Sequence, residues 1–150
     1  MEVQIIRAAP AQAGLLDRVA EDVFDERIDL GRLAAYLADP SHLMVLAVSN
    51  GEVIGQARGV VHRHPDEPTE LYIDNLGVTP TRKREGVATR LLDDLVAWAR
   101  SLGCEQAWVG TEVDNEAARA LYQGRGSDAE TFVMYFYEFA ATQASVLAIR

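Results

Sequence analysis

The sequence predicts one mixed α/β domain with a mostly antiparallel sheet, and three observations support this prediction. The chain has 150 residues, a common size for a single domain, so we expect one domain over residues 1–150. Hydrophobic residues make up 49% and charged residues 25%, which is typical of a globular protein and excludes disordered and fibrous classes. The elements run strand, two helices, three strands, helix, strand, helix, strand, which indicates an antiparallel first half and one parallel crossover.

The first forty residues predict one strand and two helices. Alternating side chains over Val3–Ala9 predict the strand. Pro10 suits the first turn of a helix, and apolar residues follow it with a helical period up to Val23. A second apolar stripe over residues 30–37 predicts another helix. We expect this helix to stop before Asp39, because a residue that precedes a proline avoids the α region.

The middle of the chain predicts three strands in succession. Residues 43–48 and 53–61 are rich in strand-forming side chains, and the intervening Asn50-Gly51 is a strong hairpin signal. A polar loop with two prolines follows over residues 62–68, and residues 71–78 predict the third strand. Three antiparallel neighbours are therefore expected here.

The last third predicts two helices and two strands. An amphipathic helix begins near Gly86 and stops at Gly103, and residues 107–113 predict a strand. Asp114 or Asn115 caps the second helix. The final strand, residues 132–139, is apolar on both faces, which is expected in a packed sheet or across a subunit interface; we therefore expect a homodimer.

Charge and composition exclude several classes of function. The 14 basic and 23 acidic residues give a net charge of −9, which disfavours binding to nucleic acid. No apolar run is long enough to span a bilayer, and the first ten residues do not resemble a signal peptide, so we expect a cytoplasmic protein without membrane contact. The single cysteine, Cys104, is expected to be a core residue.

Two histidines form a weak metal signature. His62 and His64 stand in an H-x-H arrangement, but the sequence indicates no third ligand. The sequence therefore predicts no metal site.

The segment Tyr72–Leu92 carries the clearest chemical information. A predicted strand leads into a basic turn, and a helix then begins near Gly86. The free N–H groups and the dipole of a helix start attract anions, and Arg82, Lys83 and Arg84 add positive charge. Gly86 and Ala88 leave room for a diphosphate to approach the backbone. The spacing fits neither the phosphate loop of nucleotide hydrolases nor the dinucleotide fingerprint.

This turn resembles the acyl-coenzyme A diphosphate loop, [QR]-x-x-G-x-[GA], of the GNAT N-acetyltransferase superfamily. The matching residues are 83–88, KREGVA, with Lys83 in place of the usual Gln or Arg. Residues 114–126, DNEAARALYQGRG, are similar to the superfamily segment N-x-x-A-x-x-L-Y-x-x-x-G, although Ser127 replaces the aromatic residue that usually follows. Within the superfamily, ELYIDNLGV followed by REGVAT is most similar to gentamicin-type aminoglycoside 3-N-acetyltransferases.

The resemblance implies a fold and a cofactor. The fold is a GNAT-like mixed, mostly antiparallel central sheet flanked by about four helices, with a strand that splays from its neighbour before the cofactor loop. Gly77 suits the bulge at that splay. The cofactor is acetyl-coenzyme A, and the residues that match its contacts are Leu76, Gly77, Val78, Lys83, Arg84, Glu85, Gly86, Val87, Ala88, Thr89 and Asn115.

The resemblance also implies catalytic residues. Tyr122 matches the tyrosine that can protonate the departing thiolate. An amine acceptor must lose a proton before it attacks, and a carboxylate is suited to accept it. Asp74, Glu70 and Glu112 are the candidates, and a bulge between Glu70 and Asp74 would decide which of them faces the acceptor.

Acidic residues recur in the segments that, by resemblance, border the acceptor site. We expect Asp25, Glu26 and Glu112 to bind substrate, which favours a small cationic amine such as an aminoglycoside or a polyamine. Two alternatives remain open. The acceptor is a peptide or protein amine, or the chain is a non-catalytic acyl-coenzyme A sensor.

Overall fold

The computed structural model describes residues 2–139 and 147–149. They fall into two compact units, residues 1–115 and residues 116–150, and each unit is described by itself. The prediction of a single domain over 1–150 stays a prediction. No helix among the described residues is long and apolar enough to cross a membrane.

The first unit contains five strands and two α-helices. The strands are β1 (Gln4–Arg7), β2 (His42–Ser49), β3 (Glu52–His62), β4 (Glu70–Val78) and β5 (Gln106–Val109). The α-helices are α1 (Leu30–Ala38) and α2 (Val87–Ser101), and 3₁₀ helices cover Pro10–Asp17 and Pro80–Arg82.

The five strands form one sheet in the order β1-β2-β3-β4-β5. The first three pairs are antiparallel, and β4 pairs with β5 in parallel through the crossover helix α2. The predicted mixed, mostly antiparallel sheet is therefore confirmed. The Asn50-Gly51 hairpin is confirmed as well: both residues have positive φ, 52° and 72°, as a tight turn between β2 and β3 requires.

The core lies on both faces of this sheet. Strand β2 is buried along almost its whole length, so its side chains are apolar on both sides. Leu91 and Leu95 of α2 are fully buried, and Leu91 reaches Gly55 of β3 on one face. On the other face, Leu16, Val23 and Leu33 pack in a cluster with apolar residues of β2 and β3.

The first predicted helix is wrong in type and length. Residues 10–17 form a 3₁₀ helix, and the chain then extends so that Val19 forms a parallel bridge with Val53. The N–H of Ala20 donates to Val53 O at 2.9 Å, and the N–H of Val53 donates to Arg18 O at 2.9 Å. Leu16 and Val23 are buried although the segment between them pairs with a strand edge, and an apolar period alone does not distinguish this arrangement from helical packing.

The second predicted helix is confirmed, with its boundaries. Asp29 caps α1, because its Oδ1 accepts a hydrogen bond from the N–H of Arg32 at 2.9 Å. The helix stops at Ala38, directly before Asp39-Pro40. Helix α2 also stops where predicted, since Gly103 adopts φ 97° after its last turn.

The second unit contains α3 (Glu116–Gly124) and a two-stranded antiparallel sheet of β6 (Tyr137–Phe139) and β7 (Leu147–Ile149). The predicted strand over residues 132–139 is too long, since only its last three residues form β6, and β7 was not predicted. The predicted strand over 107–113 is likewise too long, because β5 ends at Val109. The aromatic side chains of residues 132–139 are exposed, and the homodimer stays a prediction.

Gly77 of β4 provides a test of the packing. A Cβ at this position would overlap the carbonyl oxygen of Val23, which is backbone and cannot rotate away. We expect Gly77→Ala to lower the free energy of unfolding by about 1–3 kcal/mol, measured by urea denaturation. Gly14→Ala is the matched control, because a Cβ there meets no atom within 4 Å. An equal stability of the two variants would contradict this close packing of β4.

Candidate active site

Strand β4 separates from β5 halfway along its length. The two strands pair only from Glu70 to Ile73, opposite Gln106–Val109. From Asn75 to Val78, β4 stays paired with β3, but the other edge of residues 74–78 has no strand partner among the described residues. The backbone of residues 74–78 is therefore available on that edge, which confirms the predicted splayed strand.

A β-bulge marks the start of this separation. Arg58 pairs with Asn75 and Gly59 pairs with Ile73, so Asp74 is the extra residue. The suggested bulge at Gly77 is wrong. Gly77 is needed for the close approach of Val23, whereas the bulge lies three residues earlier at a carboxylate.

The bulge changes which side chains of β4 lie on the same face, because the alternation of side chains shifts by one residue at Asp74. After the bulge, Asn75 contacts the buried amide of Gln56. Gln56 Nε2 donates to Val23 O at 3.1 Å and to Asn75 Oδ1 at 2.6 Å. Asn75 Nδ2 in turn donates to the Oδ2 of Asp25 at 3.3 Å. Asp25, predicted to bind substrate, is thereby held next to the splayed part of β4.

Asp74 lies beside aromatic side chains. It is exposed, and its charge reaches Tyr36 and Tyr72. Burial raises the pKa of both phenols, and Asp74 raises each further, while Arg58 opposes the rise at Tyr36. Tyr72 also stacks on Trp108, with ring centroids 4.4 Å apart. This edge of the sheet therefore combines a carboxylate with flat apolar surface.

Glu70 lies at the opposite end of β4 and has different neighbours. Its Oε1 is 3.0 Å from His64 Nε2 and 3.4 Å from His62 Nδ1, and its Oε2 accepts a hydrogen bond from Gln106 Nε2 at 3.1 Å. The hydrogen bond from His64 lowers the pKa of Glu70, with help from Gln106 and against the effect of desolvation. Glu70 and Asp74, two of the three carboxylates left open as the base, thus lie in separate environments.

The other predicted substrate residues lie in two places. Asp25 and Glu26 line an open cleft of about 540 Å³ that residues 16–30 enclose with apolar side chains such as Leu16 and Phe24. Glu112 is exposed, three residues beyond the end of β5, and its carbonyl accepts the N–H of Asn115 at 3.1 Å. The structure thus brings Asp25, but not Glu112, into a bonded contact with β4.

The loop between β4 and α2 forms a backbone cradle. Arg84 and Gly86 have positive φ, 66° and 79°, and a Cβ on Gly86 would meet nothing within 4 Å. The first hydrogen bond of α2 runs from the N–H of Arg90 to Gly86 O at 3.1 Å, so the N–H groups of residues 87–89 have no acceptor further back in the helix.

The charged side chains of this loop are arranged around the cradle. The Nε of Arg82 lies 3.0 Å from both carboxylate oxygens of Glu85, which neutralises the one acid of the loop. Lys83 and Arg84 are exposed. Free N–H groups, a helix start and two exposed cations fit a diphosphate such as that of coenzyme A.

Tyr122 lies in α3 of the second unit. Its side chain is half-buried, and this burial raises the pKa of its phenol. Its carbonyl accepts hydrogen bonds from the backbone N–H and the hydroxyl of Ser127, at 3.3 and 2.8 Å, which closes the end of α3.

Comparison with known proteins identifies the family. Residues 11–126 match the acetyltransferase (GNAT) family, which covers both the cradle and α3. The chain belongs to this family, as the motifs predicted.

The individual relatives share between a quarter and a third of their aligned residues with this chain. An aminoglycoside N(6')-acetyltransferase type 1 from Acinetobacter haemolyticus is 25% identical over 115 residues, 74% of this chain and 79% of the relative. The N-alpha-acetyltransferase RimI from Mycobacterium tuberculosis is 33% identical over 90 residues, 60% of this chain and 54% of RimI. The chain spans less than half of the length of two other curated relatives that it matches.

Solved structures confirm the fold. Aminoglycoside N-acetyltransferase AAC(6')-Iy, in complex with a bisubstrate analogue of coenzyme A and acetylneamine, superposes with a TM-score of 0.77 at 18% identity, over 93% of this chain and 100% of that one. This enzyme and the Acinetobacter haemolyticus relative are both of the N(6') type, so the prediction of a 3-N type is not confirmed.

Sequence reasoning missed Gln56 as a residue that organises the site. A glutamine inside the apolar run VIGQARGVV was a usable signal, because a buried amide needs partners. It also missed the stack of Tyr72 on Trp108, which depends on the parallel register of β4 and β5.

Gln56→Leu tests the amide bridge. The variant keeps a similar volume but leaves Val23 O and Asn75 Oδ1 without their donor. We expect the free energy of unfolding to fall by about 1–3 kcal/mol, measured by urea denaturation. Gln4→Leu, at an exposed position of β1, is the matched control and should change it by less than about 0.5 kcal/mol. A wild-type stability of Gln56→Leu would show that the bridge contributes nothing.

Proposed function

We propose that this chain is an acetyl-coenzyme A-dependent N-acetyltransferase that acetylates a primary amine of a small cationic acceptor, resembling an aminoglycoside or a polyamine. One observation supports this above the others. Along β4, the exposed carboxylate of Asp74 lies near Tyr72, the next residue, Asn75, donates to the carboxylate of Asp25, and the same strand leads into the basic cradle. A basic cradle after the end of this strand and acidic side chains at its middle suit an anionic cofactor and a cationic acceptor.

The cofactor would be held by the cradle and by the edge of β4. The N–H groups of residues 84–89, with Lys83 and Arg84, suit the diphosphate. The open edge over Leu76–Val78 offers backbone groups to an extended pantetheine arm. Asn115, which directly precedes α3, is proposed to contact the same arm. Acetyl-coenzyme A supplies the activated acetyl thioester when it is bound.

Asp74 is proposed as the group that accepts the proton of the acceptor amine. A primary ammonium with a pKa near 10.4 is only about one part in a thousand free base at neutral pH, so a nearby carboxylate assists attack. Glu70 lies about 13 Å away along the strand, four residues at roughly 3.3 Å each. Both of its oxygens are engaged by His64 and Gln106, whereas Asp74 is exposed at the point where β4 separates.

Tyr122 is proposed to donate a proton to the departing thiolate. Burial raises its pKa, so the phenol keeps its proton throughout the neutral range and is available as an acid. Direct transfer from thioester to amine requires a base and an acid, for which Asp74 and Tyr122 are the respective proposals.

A peptide or protein amine is the second candidate acceptor. The similarity to the N-alpha-acetyltransferase RimI favours it, as does the open form of the cleft beside Asp25 and Glu26. Both acceptors carry an ammonium group, so they share the proposed chemistry and differ in what surrounds the amine.

Asp74→Asn is expected to lower kcat by about 100-fold or more, because the amide keeps the shape but cannot accept the proton. Thiol release from acetyl-coenzyme A measures this, and the loss should shrink as the pH approaches the pKa of the acceptor amine. Asp93→Asn, an exposed change on α2, is the matched control and should leave the rate unchanged.

Glu70→Gln is the discriminating comparison for the base. If Glu70→Gln lowers kcat more than Asp74→Asn does, and if kcat of Glu70→Gln rises again at high pH, the base is Glu70 and our proposal is contradicted.

Tyr122→Phe is expected to lower kcat by about 100-fold while acetyl-coenzyme A still binds. Because the pKa of Tyr122 is raised, the wild-type rate should show no loss from its ionisation between pH 7 and pH 9. Calorimetric titration with coenzyme A measures binding separately. An unchanged rate with Tyr122→Phe would remove the tyrosine from the mechanism.

The class of acceptor can be identified by measuring thiol release from acetyl-coenzyme A with a panel of amines. The panel contains gentamicin-like aminoglycosides, polyamines, and lysine or N-terminal peptides. We expect turnover with the small polycations. Turnover restricted to peptides would assign the second acceptor. Tight binding of coenzyme A without turnover of any amine would favour a sensor.

A further inference from the structure

A cluster at the far end of β4 has the composition of a metal site. His62 ends β3, His64 lies in the following loop, and Glu70 begins β4. One donor atom of each residue lies within 4.8 Å of the others. Imidazole nitrogen and carboxylate oxygen are the donors that Zn²⁺ and neighbouring divalent transition metals prefer.

The fold itself assembles this cluster. In the antiparallel register of β3 and β4, His62 pairs directly with Glu70. The loop over residues 63–69 then folds His64 back, so that the two imidazole rings lie 4.1 Å apart between centroids. The third ligand that the sequence did not indicate is therefore provided by strand pairing.

Two of the three distances between donor atoms are those of a ligand set. Two donors about 2.1 Å from a tetrahedral metal lie about 3.4 Å from each other. The Oε1 of Glu70 is 3.0 Å from His64 Nε2 and 3.4 Å from His62 Nδ1. The donor atoms of His62 and His64 lie within 4.8 Å of each other, so a metal would replace these contacts once the two imidazole rings adjust.

Neighbouring groups hold the ligands in position. Gln106 Nε2 donates to the second oxygen of Glu70 at 3.1 Å, which turns Oε1 towards the histidines. The other nitrogen of His64, Nδ1, lies 4.0 Å from a carboxylate oxygen of Glu67. Outer partners of this kind orient metal ligands. Gln106 does so through a hydrogen bond, whereas Glu67 is too far from His64 for a hydrogen bond and contributes only its negative charge.

The exposure of the three side chains would let an ion reach the cluster from solvent. The side chains of His64 and Glu70 are only 19% and 15% exposed, whereas that of His62 is 55% exposed. Two ligands are thus fixed in the protein, and the third borders solvent and leaves an entry path.

We infer that His62, His64 and Glu70 bind one divalent transition-metal ion, with Zn²⁺ as the test ion and water in the remaining position. The ion would join the end of β3, the loop and the start of β4, away from the proposed acetyl transfer at Asp74. Its role is to fix this corner of the sheet, and it requires nothing of the proposed function.

The experiment titrates the metal-free full chain with Zn²⁺ against a chromophoric chelator. We expect one ion per chain. His64→Ala and Glu70→Gln should each weaken binding by about 100-fold or more. His42→Asn removes the one remaining histidine, and Cys104→Ala removes the thiol; both should bind Zn²⁺ as the wild type does.

A second variant separates loss of metal binding from loss of folding. His62 is exposed, so we expect His62→Ala to fold, which circular dichroism in the presence of a chelator checks. This variant should also lose affinity for Zn²⁺. The midpoint of thermal unfolding should rise with Zn²⁺ in the wild type and not in His62→Ala. Equal affinity for Zn²⁺ in the wild type and in a His62→Ala/His64→Ala double variant would overturn the proposal.

Discussion

The separation of β4 from β5 is the constraint on which the candidate site depends. Four residue pairs hold the two strands together, and the bulge at Asp74 then turns β4 so that its last five residues keep only β3 as a strand partner within the described part of the chain. An unpaired strand edge inside a domain leaves backbone groups without partners, which an extended ligand can satisfy. The same bulge places a carboxylate where the two strands diverge, so the binding edge and the proposed base arise from one irregularity.

Close packing maintains this irregularity. The segment that contains Val23 approaches Gly77 so closely that no side chain fits there, and Gln56 joins that segment to Asn75 with a buried amide. Nε2 of Gln56 makes both of these hydrogen bonds while its Oε1 has no partner among the described residues, and a slip of register would break both bonds. The position of Asp25 beside β4 follows from this bridge and not from any preference of the exposed aspartate itself.

Charge is distributed along one strand in a way that suits two different ligands. The basic cradle follows the end of β4, the acidic and aromatic surface lies at its middle, and the histidine cluster lies at its start. Glu70 and Asp74 are four residues apart, yet one is held by histidines and the other is exposed. Their environments, and not their chemical type, therefore support different roles for two carboxylates of the same strand.

Local patterns predicted the five strands of the main sheet and the three α-helices, as well as the hairpin at Asn50-Gly51 and the basic turn before α2. Turn chemistry, apolar period and helix starts are encoded within a few residues. Tertiary structure decided the rest. The segment after Pro10 resembles a helix in sequence, but pairing of Val19 with Val53 extends it. The bulge at Asp74, the bridge at Gln56 and the meeting of His62 with Glu70 all depend on the register between strands. Register is set by contacts between distant residues, which a local pattern does not contain.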